Sequence, residues 1–218
     1  MTETKTQEPE IQATNNRPKG GGNFALSAYW FATSLHWGAW LMIIMPSQVV
    51  RIAPTYKAQA QAIIVFSGMI AALVVPLIVG ALSDRCTSKW GRRRPYMAVG
   101  AGINLLGLAL LFAAGSALSL WLYIAGYIVI QVGNNIATGS YTGLIPDLVP
   151  ADERGTASGW MAAMSQLGTI VGVVSAGQLM GHGQVAAAYG VIAVSLVLFM
   201  GFTLFGVREE PLDRKSVV

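Results

Sequence analysis

A chain of 218 residues in which hydrophobic residues make up 54% and charged residues only 11%, with a mean hydropathy of +0.54, does not have the composition of a soluble domain. The formal charge of +4 sits beside apolar runs, where basic residues orient a membrane protein, so no nucleic-acid partner is expected. One cysteine and two histidines exclude an internal disulfide framework and a Cys-cluster metal site; with no nucleotide-binding loop, GxSxG or HExxH pattern either, no metal, cofactor or enzymatic activity is expected.

Residues 1–23 are polar, Gly-rich near their end and mixed in charge, which predicts a disordered tail; they lack the apolar core and cleavage site of a secretory signal. Residues 24–207 carry six apolar runs of about 20 residues, each enough at 1.5 Å per residue to cross roughly 30 Å of hydrocarbon. The runs are 24–45, 61–82, 96–115, 118–142, 155–180 and 184–207. Pro46 and Pro54 follow the first, Pro95 precedes the third, and 143–150, with two prolines, parts the fourth from the fifth. Residues 208–218 read as a juxtamembrane tail with no seventh span. The fold class predicted is an all-α membrane protein of six transmembrane helices in one bundle. Of the 14 Lys and Arg residues, all but Arg51 and Lys57 fall on the side of the two tails and the second and fourth loops. The positive-inside rule therefore places both termini in the cytoplasm of a multi-pass cell-membrane protein.

No Asp, Glu, Lys or Arg lies within any run, so the usual mark of an intramembrane proton relay is missing. Uncharged polar groups stand there instead. On the fourth helix Gln131, Asn134, Asn135, Thr138 and Thr142 recur at steps of three and four, opposite Ile128, Val129, Val132 and Ile136. The stripe fits two readings: hydrogen bonds that glue helices together, or one wall of a hydrated cavity. The first helix adds Tyr29, Trp30, Thr33, Ser34, His36, Trp37 and Trp40, with Tyr29, Thr33, His36 and Trp40 on one face. Aromatic faces beside amides suit a sugar-like ligand, although tryptophans near a span's end also serve as interfacial anchors and a histidine can be a neutral packing residue. The candidate substrate-binding residues are Tyr29, Thr33, His36, Trp37, Gln131, Asn134, Asn135 and Thr138. On the fifth run Gly155 and Gly159, Gly168 and Gly172, then Gly177 and Gly181 repeat a GxxxG spacing that predicts close helix packing. Cys86 has no base or second thiol beside it and reads as an incidental loop thiol.

The loop after the second run reads Gly80-Ala-Leu-Ser-Asp84-Arg85-Cys86-Thr87-Ser88-Lys89-Trp90-Gly91-Arg92-Arg93-Arg94-Pro95. It resembles the cytoplasmic motif of the major facilitator superfamily. Five residues separate the Asp-Arg pair from Gly-Arg-Arg, and that longer form resembles the sucrose and glycoside transporter branch. The segment from Gln131 through Asn134, Asn135, Gly139 and Leu144 to Asp147 and Leu148 is similar to the fourth helix of sucrose–proton symporters. Those carry an Asp, associated with proton coupling, where this chain has Gln131, and an Arg, associated with substrate binding, where it has Thr142. The resemblance covers about residues 25–207 and implies one of the two six-helix bundles of a major-facilitator transporter. It also implies that Gly80, Asp84, Arg85, Gly91, Arg92 and Arg93 form a conformational latch, Asp84 stabilising the outward-facing state through the other bundle.

Two functions are compatible with these features. The leading one is a half-size secondary transporter of a small polar solute, sugar-like by preference, working by alternating access with a second six-helix bundle that is a copy of itself or a separate chain. The alternative is a non-transporting membrane scaffold or assembly subunit, or a split product without independent function. The lipid bilayer is the common partner of both.

Overall fold

The protein is described by a computed structural model over residues 22–88, 90–144 and 149–206; the expected tails at 1–23 and 208–218 lie almost wholly outside the described residues. Among those residues all regular structure is helical: α1 (Gly22–Ala39), a π-helical turn (Trp40–Ile44), α2 (Met45–Ile52), α3 (Lys57–Ser67), α4 (Met69–Asp84), α5 (Arg94–Ala117), α6 (Leu120–Tyr141), α7 (Arg154–Gly181) and α8 (Val185–Gly206). Five stretches are long and apolar enough to cross a membrane: Lys57–Asp84, Arg94–Ala117, Leu120–Tyr141, Arg154–Gly181 and Val185–Gly206. The expected first span, 24–45, falls within a helical path that runs from α1 through α2 and is not one of these five.

That path does not stop at Pro46, as the sequence suggested. At Trp40–Ile44 the helix widens, and the Met45 N–H reaches back five residues to the Trp40 carbonyl. A new helical register then begins with Pro46 in its first turn, the one place where a missing N–H and a fixed φ are harmless. Trp40 anchors the widened turn by stacking on Tyr127, 5.2 Å between centroids, and on Tyr123 at 6.0 Å. Eight residues on, buried Gln48 accepts hydrogen bonds from the Tyr123 hydroxyl at 2.8 Å and the Tyr189 hydroxyl at 2.7 Å. Its amide lies against Gly115, where a Cβ would have no room. One glutamine thus ties α2, α5, α6 and α8 together at the bundle end remote from Asp84.

The second span also has two registers. It breaks at Gly68, against which the side chains of Tyr127 and Gln131 pack so closely that a Cβ there would meet both. Pro76 sits inside α4, and its backbone lies against Gly139 of α6.

The helices form an arc in the order α4, α6, α5, α8, α1, α7, each packed along the next. Between helices in hydrocarbon there is little hydrophobic gain to be had, so close backbone approach must supply the attraction. The α5–α6 seam does this with Gly100 and Gly107 on one helix and Gly126 and Gly133 on the other: a Cβ on Gly133 would stand 2.8 Å from the Gly100 carbonyl, and one on Gly107 would stand 2.7 Å from the Ile130 nitrogen. On α7 the glycine run divides. Gly168 and Gly172 press on the Phe31 and Leu35 carbonyls of α1, whereas Gly155, Gly159, Gly177 and Gly181 meet nothing. The expected GxxxG packing therefore holds for one of the three pairs. The outer face of α4 carries exposed Ile70, Leu73 and Leu77, the reverse of a soluble helix. Leu118, in the turn between α5 and α6, has φ +52°, a left-handed conformation that costs a branched residue on the order of 1 kcal/mol.

The glycine seam gives a direct test. Gly133→Ala drives a Cβ into the α5 backbone and is expected to lower stability by about 2 kcal/mol through overpacking, whereas Gly177→Ala, with open space around it, gains only the helix propensity of alanine. Thermal unfolding of both variants in one detergent separates packing from propensity.

Candidate functional site

The two ends of the arc, α4 and α7, flank a cleft of about 380 Å³ whose walls come from α1, the π-helical turn, α4, α6 and α7. Trp30, Thr33, Ser34, Trp37 and Gly38 supply the α1 wall, Leu41 and Met42 the turn, Pro76 the α4 wall, Asn134, Thr138, Gly139 and Thr142 the α6 side, and Thr169 the α7 side. No lining residue is charged. The turn that carries Leu41 and Met42 into the cleft is the same widened segment that restarts the helix, so the local break rotates the wall.

Two elements hold the α1 wall in place. The Ser34 hydroxyl is 2.7 Å from that of Ser165 on α7, and Gly38 abuts the Thr169 carbonyl. Across the cleft, the Thr138 hydroxyl donates to the Asn134 carbonyl at 2.8 Å, the Thr142 hydroxyl to the Gly139 carbonyl at 3.2 Å and the Thr169 hydroxyl to the Ser165 carbonyl at 3.0 Å. These threonines spend their protons on their own helices and present oxygen lone pairs. Of the cleft residues, Trp30 Nε1, Thr33 Oγ1 and Asn134 Oδ1 are buried atoms with no hydrogen-bond partner among the described residues. Asn134 is only 6% exposed, a degree of burial at which an unmet carbonyl oxygen costs about 1–3 kcal/mol unless something fills the position.

The sequence candidates separate into three groups. Thr33, Trp37, Asn134 and Thr138 share the cleft. Tyr29 and His36 are fully buried behind it: Tyr29 meets the Tyr141 ring edge at 5.3 Å, and the His36 ring stacks on Trp37 at 5.0 Å. Both therefore back the wall instead of forming it. Gln131 and Asn135 lie on the other flank of α6, where Gln131 Nε2 donates to the Tyr127 hydroxyl at 3.0 Å and Asn135 Nδ2 to the Gln131 carbonyl at 2.7 Å. Gln131, with Tyr127, packs on the Gly68 break, and Asn135 is tied back to Gln131 within α6. Trp30, Ser34 and Thr142 belonged to the polar bands in the sequence without being chosen as candidates; Pro76 and Thr169 carried no signal, because only the fold brings α4 and α7 to the cleft.

At the other end of α4, Asp84 Oδ1 is 2.8 Å from Arg93 Nη2. The aspartate is half exposed but the arginine side chain is buried, its Nη1 donating to the Ser140 carbonyl at 3.4 Å. The guanidinium occupies the space a Cβ on Gly143 would take. A residue of the α4–α5 loop thus clamps the end of α4 to the end of α6. Gly91 makes the loop possible at φ +105°, a conformation only glycine adopts without strain. Gly80 has nothing within 4 Å of a notional Cβ, on the open side of α4; Arg85 is exposed and Arg92 half-buried.

This clamp predicts an order of effects. Gly143→Ala displaces the buried guanidinium from both partners and is expected to cost about 1–3 kcal/mol, while Asp84→Asn, acting on a solvent-screened partner, costs about 1 kcal/mol or less. Unfolding midpoints of the two variants should rank in that order.

The family model described as Major Facilitator Superfamily matches residues 22–217. Among curated proteins, Sucrose transport protein SUT1 of Oryza sativa subsp. japonica is 33% identical over 127 residues, 50% of this chain and 24% of that protein. Sucrose transport protein SUC4 of Arabidopsis thaliana is 32% identical over 120 residues, 48% and 24% of the two chains. Sucrose transport protein SUT5 of Oryza sativa subsp. indica is 28% identical over 218 residues, covering 83% of this chain and 40% of the relative. The matches span between a quarter and two fifths of these relatives' length.

Proposed function

The chain belongs to the Major Facilitator Superfamily, and we propose that it forms one six-helix bundle of a secondary transporter for a small, neutral, sugar-like solute, working by alternating access against a second six-helix bundle. The observation that carries this reading is the uncharged cleft that Trp30, Thr33, Trp37, Asn134 and Thr138 line. A wall of hydroxyl, amide and indole groups suits a ligand that offers donors and acceptors together, which hydroxyl groups do. The indole faces of Trp30 and Trp37 favour the C–H face of a ring. The names of the relatives agree with this ligand class. The cleft is open between α4 and α7, the helices with the least buried surface, and a facing bundle, whether a copy of this chain or a separate one, would close it.

In this reading all six spans cross the cell membrane with both termini cytoplasmic. Gly80, Asp84, Arg85, Gly91, Arg92 and Arg93 serve as the latch, Asp84 sharing its charge between Arg93 and the facing bundle in one conformation only. A second reading, a non-transporting scaffold subunit, is favoured by one observation: Gln131 and Thr142 stand where the resembling symporters carry an acid and an arginine.

Reconstituted protein tests both. With uptake measured for neutral sugars, Asn134→Ala should raise KM about tenfold or more for the loss of a hydrogen bond in a dry site, and Asp84→Asn should lower kcat by biasing the inward–outward equilibrium. The scaffold reading expects no uptake at all. For the topology, with Cys86 first replaced, a cysteine at Thr55 should label from outside in oriented vesicles and one at Ser88 only from inside; the opposite pattern would overturn the orientation.

A further inference from the structure

At the bundle end remote from Asp84, a second cleft of about 580 Å³ lies between the α2–α3 connection and the α5–α6 turn. It is independent of the transport site and of whether the chain transports anything. Ile52 and Tyr56 form one edge, Leu118, Ser119 and Trp121 the other, and Ile63 and Ile124 the deeper walls. Its polarity is graded along the helices that line it. Tyr56, Ser119 and Trp121 lie at helix ends, whereas Ile63 is six residues into α3, about 9 Å deeper at 1.5 Å per residue. Trp121 and Tyr56 are exposed, as expected of rings held at the headgroup level.

Two further features point to an occupant. Arg51 and Lys57, the immediate neighbours of Ile52 and Tyr56, are both exposed. No Asp or Glu occurs among the described residues at this end of the bundle, in 45–57, 117–121 or 181–186. No carboxylate of the described residues at this end of the bundle answers Arg51 or Lys57. Leu118 in addition holds its left-handed φ of +52° while contributing a side chain to the cleft edge; a glycine would make the same turn without strain.

We propose that this cleft is a binding site for one anionic glycerophospholipid, with its phosphate between Arg51 and Lys57 and an acyl chain descending between Ile63 and Ile124. The gradient from cations through amphipathic rings to aliphatic walls matches the order of headgroup, glycerol and chain in such a lipid. A free anion would use only the rim and would not account for the apolar depth.

The test uses the full chain in vesicles of phosphatidylcholine containing either phosphatidylglycerol or phosphatidylcholine with a diazirine on the acyl chain, the adducts being mapped by peptide mass spectrometry. The phosphatidylglycerol probe should label peptides containing Ile63 or Ile124, and Arg51→Gln combined with Lys57→Gln should reduce that labelling about tenfold. Leu118→Gly should reduce it as well without lowering the unfolding midpoint, since the glycine relieves backbone strain; this separates loss of the site from loss of the fold. Added inorganic phosphate should leave the labelling unchanged. Equal labelling by the two probes, adducts spread over other lipid-facing helices, suppression by inorganic phosphate, or indifference to the paired substitution would each overturn the proposal.

Discussion

A polar side chain inside hydrocarbon has no water to fall back on, and most of this bundle follows from that. In a soluble protein Gln48, Asn104, Asn134 and His36 would turn outward and leucines inward. Here the four polar residues are buried, while Ile70, Leu73, Leu77 and Leu198 face out. Gln48 shows how the constraint becomes architecture: its single carbonyl oxygen collects two tyrosine hydroxyls from α6 and α8, so the need to satisfy one amide fixes the relative positions of four helices. Arg93 does the same at the opposite end, where a charge that could not be left alone draws α4 onto α6.

The same solvent removes the hydrophobic drive for one helix to pack on another, and glycine takes over that role. Its distribution ranks the seams. The α5–α6 contact is locked backbone to backbone at four glycines, whereas α4 is held to its neighbour by the Gly139–Pro76 contact, the Gly68 break and the Arg93 clamp. A helix attached at three points along its length, two of them at irregular backbone, can pivot with less disruption of its packing than one sealed along a glycine seam. The rigid part of the bundle is thus α5 with α6, and the compliant part is the edge that borders the cleft.

Much of this was legible in the sequence, and what was not has a physical cause. The six runs and their polar loops follow from hydropathy alone, and five of them appear within a few residues of the expected limits. The first overran its limit because proline punctuates a helix only when the register behind it is regular; a π-helical turn ahead of Pro46 removes the penalty, and nothing in the residues from Trp40 to Ile44 announces it. The polar stripes were visible, but their aim was not. A stripe at steps of three and four is wider than one helix face, and on α6 it divides between Asn134 and Thr138 in the cleft and Gln131, bonded to Asn135, against Gly68. The residue that decides the division is Tyr127, whose hydroxyl takes the Gln131 amide and which reads in the sequence as one more apolar position.

That division bears on what the Gln131 amide does in this bundle. Gln131 occupies the position of an acid in the resembling symporters, yet here its Nε2 donates to the Tyr127 hydroxyl and its side-chain Oε1 accepts from Asn135 Nδ2 at 3.4 Å, on the flank of α6 that packs on the Gly68 break. A carboxylate in the same place would lose the donor that meets Tyr127 and would add a charge next to apolar α3, at a desolvation cost a neutral amide avoids. The amide is therefore matched to its surroundings as a structural group, and the cleft beside it contains no group that changes charge.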